Sequence, residues 1–363
     1  MGFNEKLLIG GASGITPSDN FAVDIWSGDG GTNRNIPTGF NLSSNGGVVW
    51  IKKRSGSGGS DHILMDSVRG VSNFIYPNIS DVEVANGGST HAQLKTFDSD
   101  GFSVAQSAYT NASGSTYVAW SFLGGGAATS NGNGSITSSV SANTAAGFSI
   151  VTYSGASTTS TVGHGLSSAP ELIIVKGRNV TAGWPTLYND GSNSYAMRLN
   201  STGANDNSNK NAMFGNGSSH TAPTSSVFTV GNVDEVNQNY NYVAYCIHSV
   251  SGYSKVGSFD ATGSEQFIDV GFTPRWLMIK KATSTGSWSI SDSVRSAGSV
   301  PYCVYNNIYA NTADLEGVSA SNCNASYVRY TSTGFGWQAS QISAGTNPNY
   351  WESGQTFIYL AYA

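Results

Sequence analysis

Charge is scarce in this chain: Asp, Glu, Lys and Arg make up 11% of its 363 residues, against about 25% in an ordinary soluble domain. The polar surface must therefore be built from Ser, Thr, Asn and Gly. The net charge is −5 and no basic run exists, which argues against nucleic acid as a partner, since that needs clustered Lys and Arg. Cysteine is also sparse, with only Cys246, Cys303 and Cys323. Their odd number and wide spacing exclude a disulfide framework and a cysteine metal site, and fit a reducing compartment. No stretch approaches the roughly 20 apolar residues needed to cross a bilayer, so membrane insertion is not expected. The apolar part of the start, Met1 to Gly11, is too short for a signal peptide, and export by the secretory route is not expected.

Catalytic and cofactor signals are equally thin. The five histidines, His62, His91, His164, His220 and His248, are scattered without ligand spacing. No turn marks a nucleophile, and no glycine-rich loop carries the lysine of a phosphate cradle. The reading is therefore of a protein with no catalytic residue, no metal and no cofactor. Apolar residues nowhere recur at helical spacing, and Gly, Ser, Thr and Asn fill the intervals as turn formers.

What the chain has is aromatic residues, 11% of the total, and a repeat. Val48-Val-Trp-Ile-Lys52, Leu172-Ile-Ile-Val-Lys176 and Trp276-Leu-Met-Ile-Lys280 each place four apolar residues before a lysine. Such runs suit strands covered on both faces. His62, Trp184 and Trp288 follow, each ahead of an aspartate: Asp66, Asp190 and Asp292. Short strands come next around Phe102, Phe228 and Phe335. Each copy closes on an aromatic strand, at Tyr117 to Phe122, Tyr242 to Ile247 and Phe357 to Tyr362, and each opens on one near Phe21, Phe148 and Tyr253. The lysines of copies two and three are 104 residues apart, those of copies one and two 124. The excess is the tract 124–146, poor in bulky side chains. The predicted fold is all-β, three tandem β-sandwich (jelly-roll-like) modules. The boundaries are an N-terminal peptide 1–20, a first module 21–123, a flexible linker 124–146, a second module 147–250 and a third 251–363.

Several groups invite a functional reading. Asp66-Ser-Val-Arg69 and Asp292-Ser-Val-Arg295, near Lys52 and Lys280, have the charges of a catalytic cluster, but copy two reads Asp190-Gly-Ser-Asn193. Structural ion pairs, Asp66 with Arg69 and Asp292 with Arg295, are the reading adopted. Asp98-Ser-Asp100-Gly101 resembles the start of a calcium loop but lacks the later ligands, and is read as a tight turn. Trp184, Trp288 and Trp351 sit in loop-like contexts. They are candidate surface aromatics for a sugar or a protein partner, the first two with capping a core as the competing reading.

The string Trp50-Ile-Lys52, Asp66-Ser-Val-Arg-Gly70, Phe97-Asp-Ser-Asp-Gly-Phe102 and Tyr117-Val-Ala-Trp120 resembles a repeat common in tail-fibre and other virion proteins of marine phages and cyanophages. Gly147 to Tyr153, Gly163 to Leu166 and Trp288 with Asp292 to Arg295 resemble it too, so the likeness covers nearly the whole chain. It implies a virion structural protein that is not an enzyme, assembled in the host cytoplasm. The expected role is a short tail fibre or adhesin contacting a host surface glycan or protein, as a homotrimer. Capsid decoration and host-polysaccharide degradation are the alternatives. Leu7, Leu8 and Ile9 are similar to the leaders of such proteins and are expected to anchor the chain to other virion proteins by strand addition.

Overall fold

The apolar blocks that end in lysine all become strands, because β-branched and aromatic side chains fit a pleated surface buried on both sides. The structure, a computed structural model, describes residues 14–85, 93–295, 303–304, 306–318, 328–337 and 352–363. It is all-β, as expected. The N-terminal Leu7, Leu8 and Ile9, and Trp351, lie outside the described residues.

Residues 21–123 form β1 (Phe21–Ser27), β2 (Arg34–Pro37), β3 (Gly47–Ser55), β4 (Ile63–Asp66), β5 (Asn73–Phe74), β6 (Val84–Ala85), β7 (Leu94–Phe97), β8 (Gly101–Val104) and β9 (Thr116–Leu123). Residues 124–250 form β10 (Thr129–Asn131), β11 (Ser138–Asn143), β12 (Phe148–Ser154), β13 (Ser160–Gly163), β14 (Leu172–Gly177), β15 (Pro185–Asn189), β16 (Ser194–Arg198), β17 (Val227–Val230) and β18 (Asn241–Ile247). Residues 251–363 form β19 (Ser254–Asp260), β20 (Gln266–Asp269), β21 (Trp276–Lys281), β22 (Ser289–Asp292), β23 (Cys303–Val304), β24 (Asn306–Tyr309), β25 (Gly317–Val318), β26 (Val328–Tyr330), β27 (Gly334–Trp337) and β28 (Thr356–Tyr362).

The three segments share one strand order. The large sheets run β1-β9-β3-β4, then β12-β18-β14-β15 within a seven-stranded sheet, then β19-β28-β21-β22 within a six-stranded one. Smaller sheets, β2-β8-β7, β13-β17 and β20-β27-β26-β23, accompany them. Each segment has a core of its own, and the closing strands divide their side chains with period two. Tyr117 and Ala119, Tyr242 and Ala244, and Phe357 and Tyr359 enter these separate cores. Val118, Trp120 and Phe122, Val243, Tyr245 and Ile247, and Ile358, Leu360 and Tyr362 enter a fourth core common to all three. The opening and closing strands also stack one aromatic pair per segment: Trp26 on Tyr117, Tyr153 on Tyr242 and Phe259 on Phe357.

The linker expectation changes here. The tract 124–146 is not a flexible linker: β10 pairs with β11 and β11 with β12, with Ser141 opposite Ile150 and Ser139 opposite Thr152. Its Ile136 and Val140 are buried. Backbone pairing needs no bulky side chain, so a Ser-rich tract completes a sheet as readily as it forms a coil. The first segment packs directly with the other two, since its Val48, Trp50, Trp120 and Phe122 lie in the common core. Among the described residues two short α-helices appear where none was expected, α1 (Leu42–Asn45) and α2 (Asn207–Met213). Their caps set them rather than any apolar period: Asp206 accepts from the backbone N–H groups of Ser208 and Asn209.

Candidate functional site

The polar chemistry of this chain is concentrated where the segments meet, and the contacts run in a closed ring. Trp184, just before β15, donates its Nε1–H to the carbonyls of Tyr76 and Ile79 in the first segment. Trp288, before β22, donates to the carbonyl of Arg198 in the second. His62, before β4, reaches the carbonyl of Tyr309 in the third at 3.1 Å. Trp50 Nε1 donates to His62 Nδ1 at 2.9 Å, so the ring proton sits on Nε2 and points at Tyr309. Burial, and then the charge on Lys52, hold this histidine well below its usual pKa.

The lysines make the same circuit. Lys176 Nζ donates to the carbonyls of Ala182 and, across the junction, Ser80. Lys280 reaches Thr202 of the second segment, and Lys52 reaches Ala313 of the third as well as Ser60 beside it. Burial pulls Lys52 and Lys176 down to about 8 and Lys280 down to about 7. A buried Nζ that spends its hydrogens on carbonyls of two segments is a clamp.

The Asp/Arg pairs belong to two of these three junctions. Arg69 Nε contacts Asp66 Oδ2 at 2.6 Å, and its Nη1 contacts Glu83 at 2.9 Å. Glu83 in turn holds Arg178 of the second segment at 2.8 Å, and Tyr245 of that segment donates to Asp66 Oδ2. The junction of the first and third segments repeats the chain of charges. Arg295 contacts Asp292 at 2.5 Å and Glu316 at 2.7 Å, Glu316 holds Arg54 of the first segment at 2.8 Å, and Trp120 Nε1 donates to Asp292. The side chains of Asp66, Arg69, Asp292 and Arg295 are fully buried. At the junction of the second and third segments every partner has changed together. Asn193 stands in place of the arginine of the motif, Ala282 in place of Arg54 or Arg178, and Leu360 in place of Trp120 or Tyr245. Asp190 there accepts from Tyr188 and from the N–H groups of Ser192 and Asn193.

Trp184 and Trp288 are thus not surface aromatics. They are 0% and 1% exposed, because the neighbouring segment, invisible in a local reading, covers each ring. Asp98 and Asp100 hold a tight turn: the Asp98 N–H bonds to the Gly101 carbonyl, and Asn35 donates to both carboxylates. Among the described residues no group of three or more His, Cys, Asp or Glu side chains could hold a metal ion.

Two spaces remain. A cavity of about 40 Å³ lies in the common core among Trp50, Phe122, Ile174, Tyr245, Trp276 and Leu360. It has room for about one water but no polar partner to keep it. An open groove of about 360 Å³ is lined by Ser130, Ser139, Thr152, Ser154, Arg178 and Asn241. It exists because β10 and β11 widen the second sheet.

Fold and site together define an all-β protein whose buried charges fasten its three segments to one another. The chain belongs to the family of a domain of unknown function, DUF7483, whose family model matches residues 16–363. That single match spans all three segments. No curated protein and no solved structure matches the chain.

Proposed function

We propose that this chain is a non-enzymatic virion structural protein, built as three copies of one β-sandwich module closed into a ring. The carrying observation is that the lysines and Asp/Arg pairs at the segment junctions, Lys52, Lys176, Asp66 with Arg69 and Asp292 with Arg295, have their donors and acceptors directed at the protein itself. That is the economy of a rigid surface element, and these junction groups are not offered to a cleft as general acids or bases. The likeness of the repeat to tail-fibre and other virion proteins of phages supplies the setting. In this reading the protein is a short tail fibre whose hydroxyl- and amide-lined groove over β10, β11 and β12 contacts a host surface glycan. Capsid decoration is the same-class alternative. A homotrimer would multiply weak contacts, while three copies round one core already give a single chain a threefold presentation, and native mass spectrometry separates these.

The test is to locate the protein. Antibody labelling of particles should show a few copies at the tail; tens to hundreds over the shell would favour decoration, and absence from particles would sink the proposal. Deleting residues 1–15 should leave a folded protein missing from assembled particles. New reducing ends on host glycan incubated with the purified protein would overturn the non-enzymatic reading.

A further inference from the structure

The edge strands of the three small sheets, β2, β13 and β20, are equivalent, and each edge is finished differently. One backbone bond just past each strand fixes its phase: Thr38 N–H to the Asp100 carbonyl, His164 N–H to Ser226, and Val270 N–H to Thr333. Ile36, Val162 and Ile268 therefore turn their backbone groups to the neighbouring strand, opposite Phe102, Phe228 and Phe335. Asn35 and Pro37, Thr161 and Gly163, and Phe267 and Asp269 turn theirs outward. In the second segment that edge is occupied. Ile136 makes a parallel bridge to Val162, its N–H donates to the Thr161 carbonyl at 3.0 Å, and the Thr161 N–H donates to Ser135 Oγ at 2.9 Å. In the first segment Pro37 has no N–H to offer, a common way of closing an edge to further strands. In the third, Asp269 keeps its N–H, and among the described residues no strand pairs beyond β20. Phe267 is 45% exposed, Glu265 and Asp269 are exposed, and Ile268 is only half-buried where its counterpart Val162 is fully buried.

The occupied edge shows what the open one takes. A segment laid on β20 as residues 135–137 lie on β13 sets one side chain beside Ile268 and its two neighbours on the other face, beside Phe267 and Asp269. Ile136 holds the first of these places in the second segment and is buried there, so a β-branched apolar residue suits it. The outer face of β20 is acidic, with Glu265 and Asp269 flanking Phe267. A cation beside Asp269 is therefore favoured, because opposite charges on neighbouring strands attract and like charges repel. A second copy paired antiparallel across Phe267 would set Glu265 against Asp269 of the other chain, so the same two acids disfavour self-association.

We propose that the outer edge of β20, Gln266–Asp269, is a strand-acceptor site for an extended segment of a partner protein in which Lys or Arg directly follows Ile or Val. This edge is independent of the virion reading. The probes are labelled peptides with the sequence of residues 131–139, one natural, one with Thr137→Lys and one with both Thr137→Lys and Ile136→Ser, titrated into the full chain by fluorescence anisotropy. The lysine peptide should bind at least threefold more tightly than the natural one and slow amide hydrogen exchange at Asp269, and the serine substitution should weaken it at least tenfold. Asp269→Pro, which copies Pro37, should abolish binding while circular dichroism stays unchanged, and Asp269→Lys should reverse the preference between the first two peptides. Failure of the lysine peptide to bind, binding that survives Asp269→Pro in the folded chain, protection confined to other strands, or a lysine preference that persists in Asp269→Lys would overturn the proposal. An Asp269 amide already protected in the free chain, or dimerisation through β20, would show the edge to be filled and overturn it equally.

Discussion

Glu316 is the single anion shared by Arg54 of the first segment and Arg295 of the third, and Glu316→Gln tests whether the ring is fastened there. Arg295 keeps Asp292, but Arg54 is left facing a neutral amide at a site where the Glu316 side chain is only 7% exposed. Removing one partner of a buried pair costs about 3–5 kcal/mol. Arg54 retains 17% exposure, so water recovers part of that, and the lower end, about 3 kcal/mol, is the expected loss. Because one core joins all three segments, the chain should unfold as a unit. With about 2.1 cal/mol/K of unfolding entropy per residue, that loss lowers Tm by about 4 °C. The control is Glu235→Gln, which removes a pair inside the second segment whose Arg198 side chain is 32% exposed. It should cost less than about 1 kcal/mol. Differential scanning calorimetry reads both. Combining Glu316→Gln with Arg54→Met should restore at least about 1 kcal/mol, since an apolar junction already serves beside Ala282. Equal effects of the two glutamine variants, or no recovery in the double variant, would refute the reasoning.

Two further outcomes follow from the same geometry. Asp24 has a folded-state pKa above its unfolded value, so between about pH 4 and 7 the folded chain holds a proton that the unfolded chain releases, and stability falls as pH rises through that window. Asp24→Asn should therefore stabilise the protein at pH 8, on the order of 2–4 kcal/mol, and change little at pH 4 in urea titrations; an equal effect at both pH values would show that burial of the charge is not the cause. Trp184→Phe keeps most of the ring but leaves the Tyr76 and Ile79 carbonyls without their donor, a loss of about 1–3 kcal/mol that chemical denaturation would detect, whereas an unchanged midpoint would mean the junction does not need the indole.

Strand positions were legible in the sequence because a run of apolar, β-branched and aromatic residues is a local property. Val48 to Lys52 and its two counterparts announce burial on both faces, and both faces are buried. What covers the second face was not legible, since the partner sheets lie a hundred or more residues away. The same distance hid the roles of Trp184 and Trp288, whose covering carbonyls belong to other segments. The Asp/Arg motif was visible, and Arg54 and Arg178 share the position two residues after the repeat lysine, but Glu83 and Glu316, which link those arginines to the motif, carry no such pattern. The tract 124–146 misled because composition reports side chains, while β10 and β11 are held by backbone. Asp24 did leave a signal: it is the one charge inside the apolar run Phe21 to Trp26, where the second copy has Val151.

The common core also sets a timetable. Trp50, Trp120 and Phe122 leave the ribosome early, yet Met278, Ile358 and Leu360, which complete the core around them, emerge more than 150 residues later. At roughly 5–20 residues per second, the newborn first sheet waits on the order of ten seconds or more with its inner aromatic face uncovered. During that interval the chain is at its most sticky, so cellular yield should depend on chaperone capacity and translation speed more than on the stability of the finished protein.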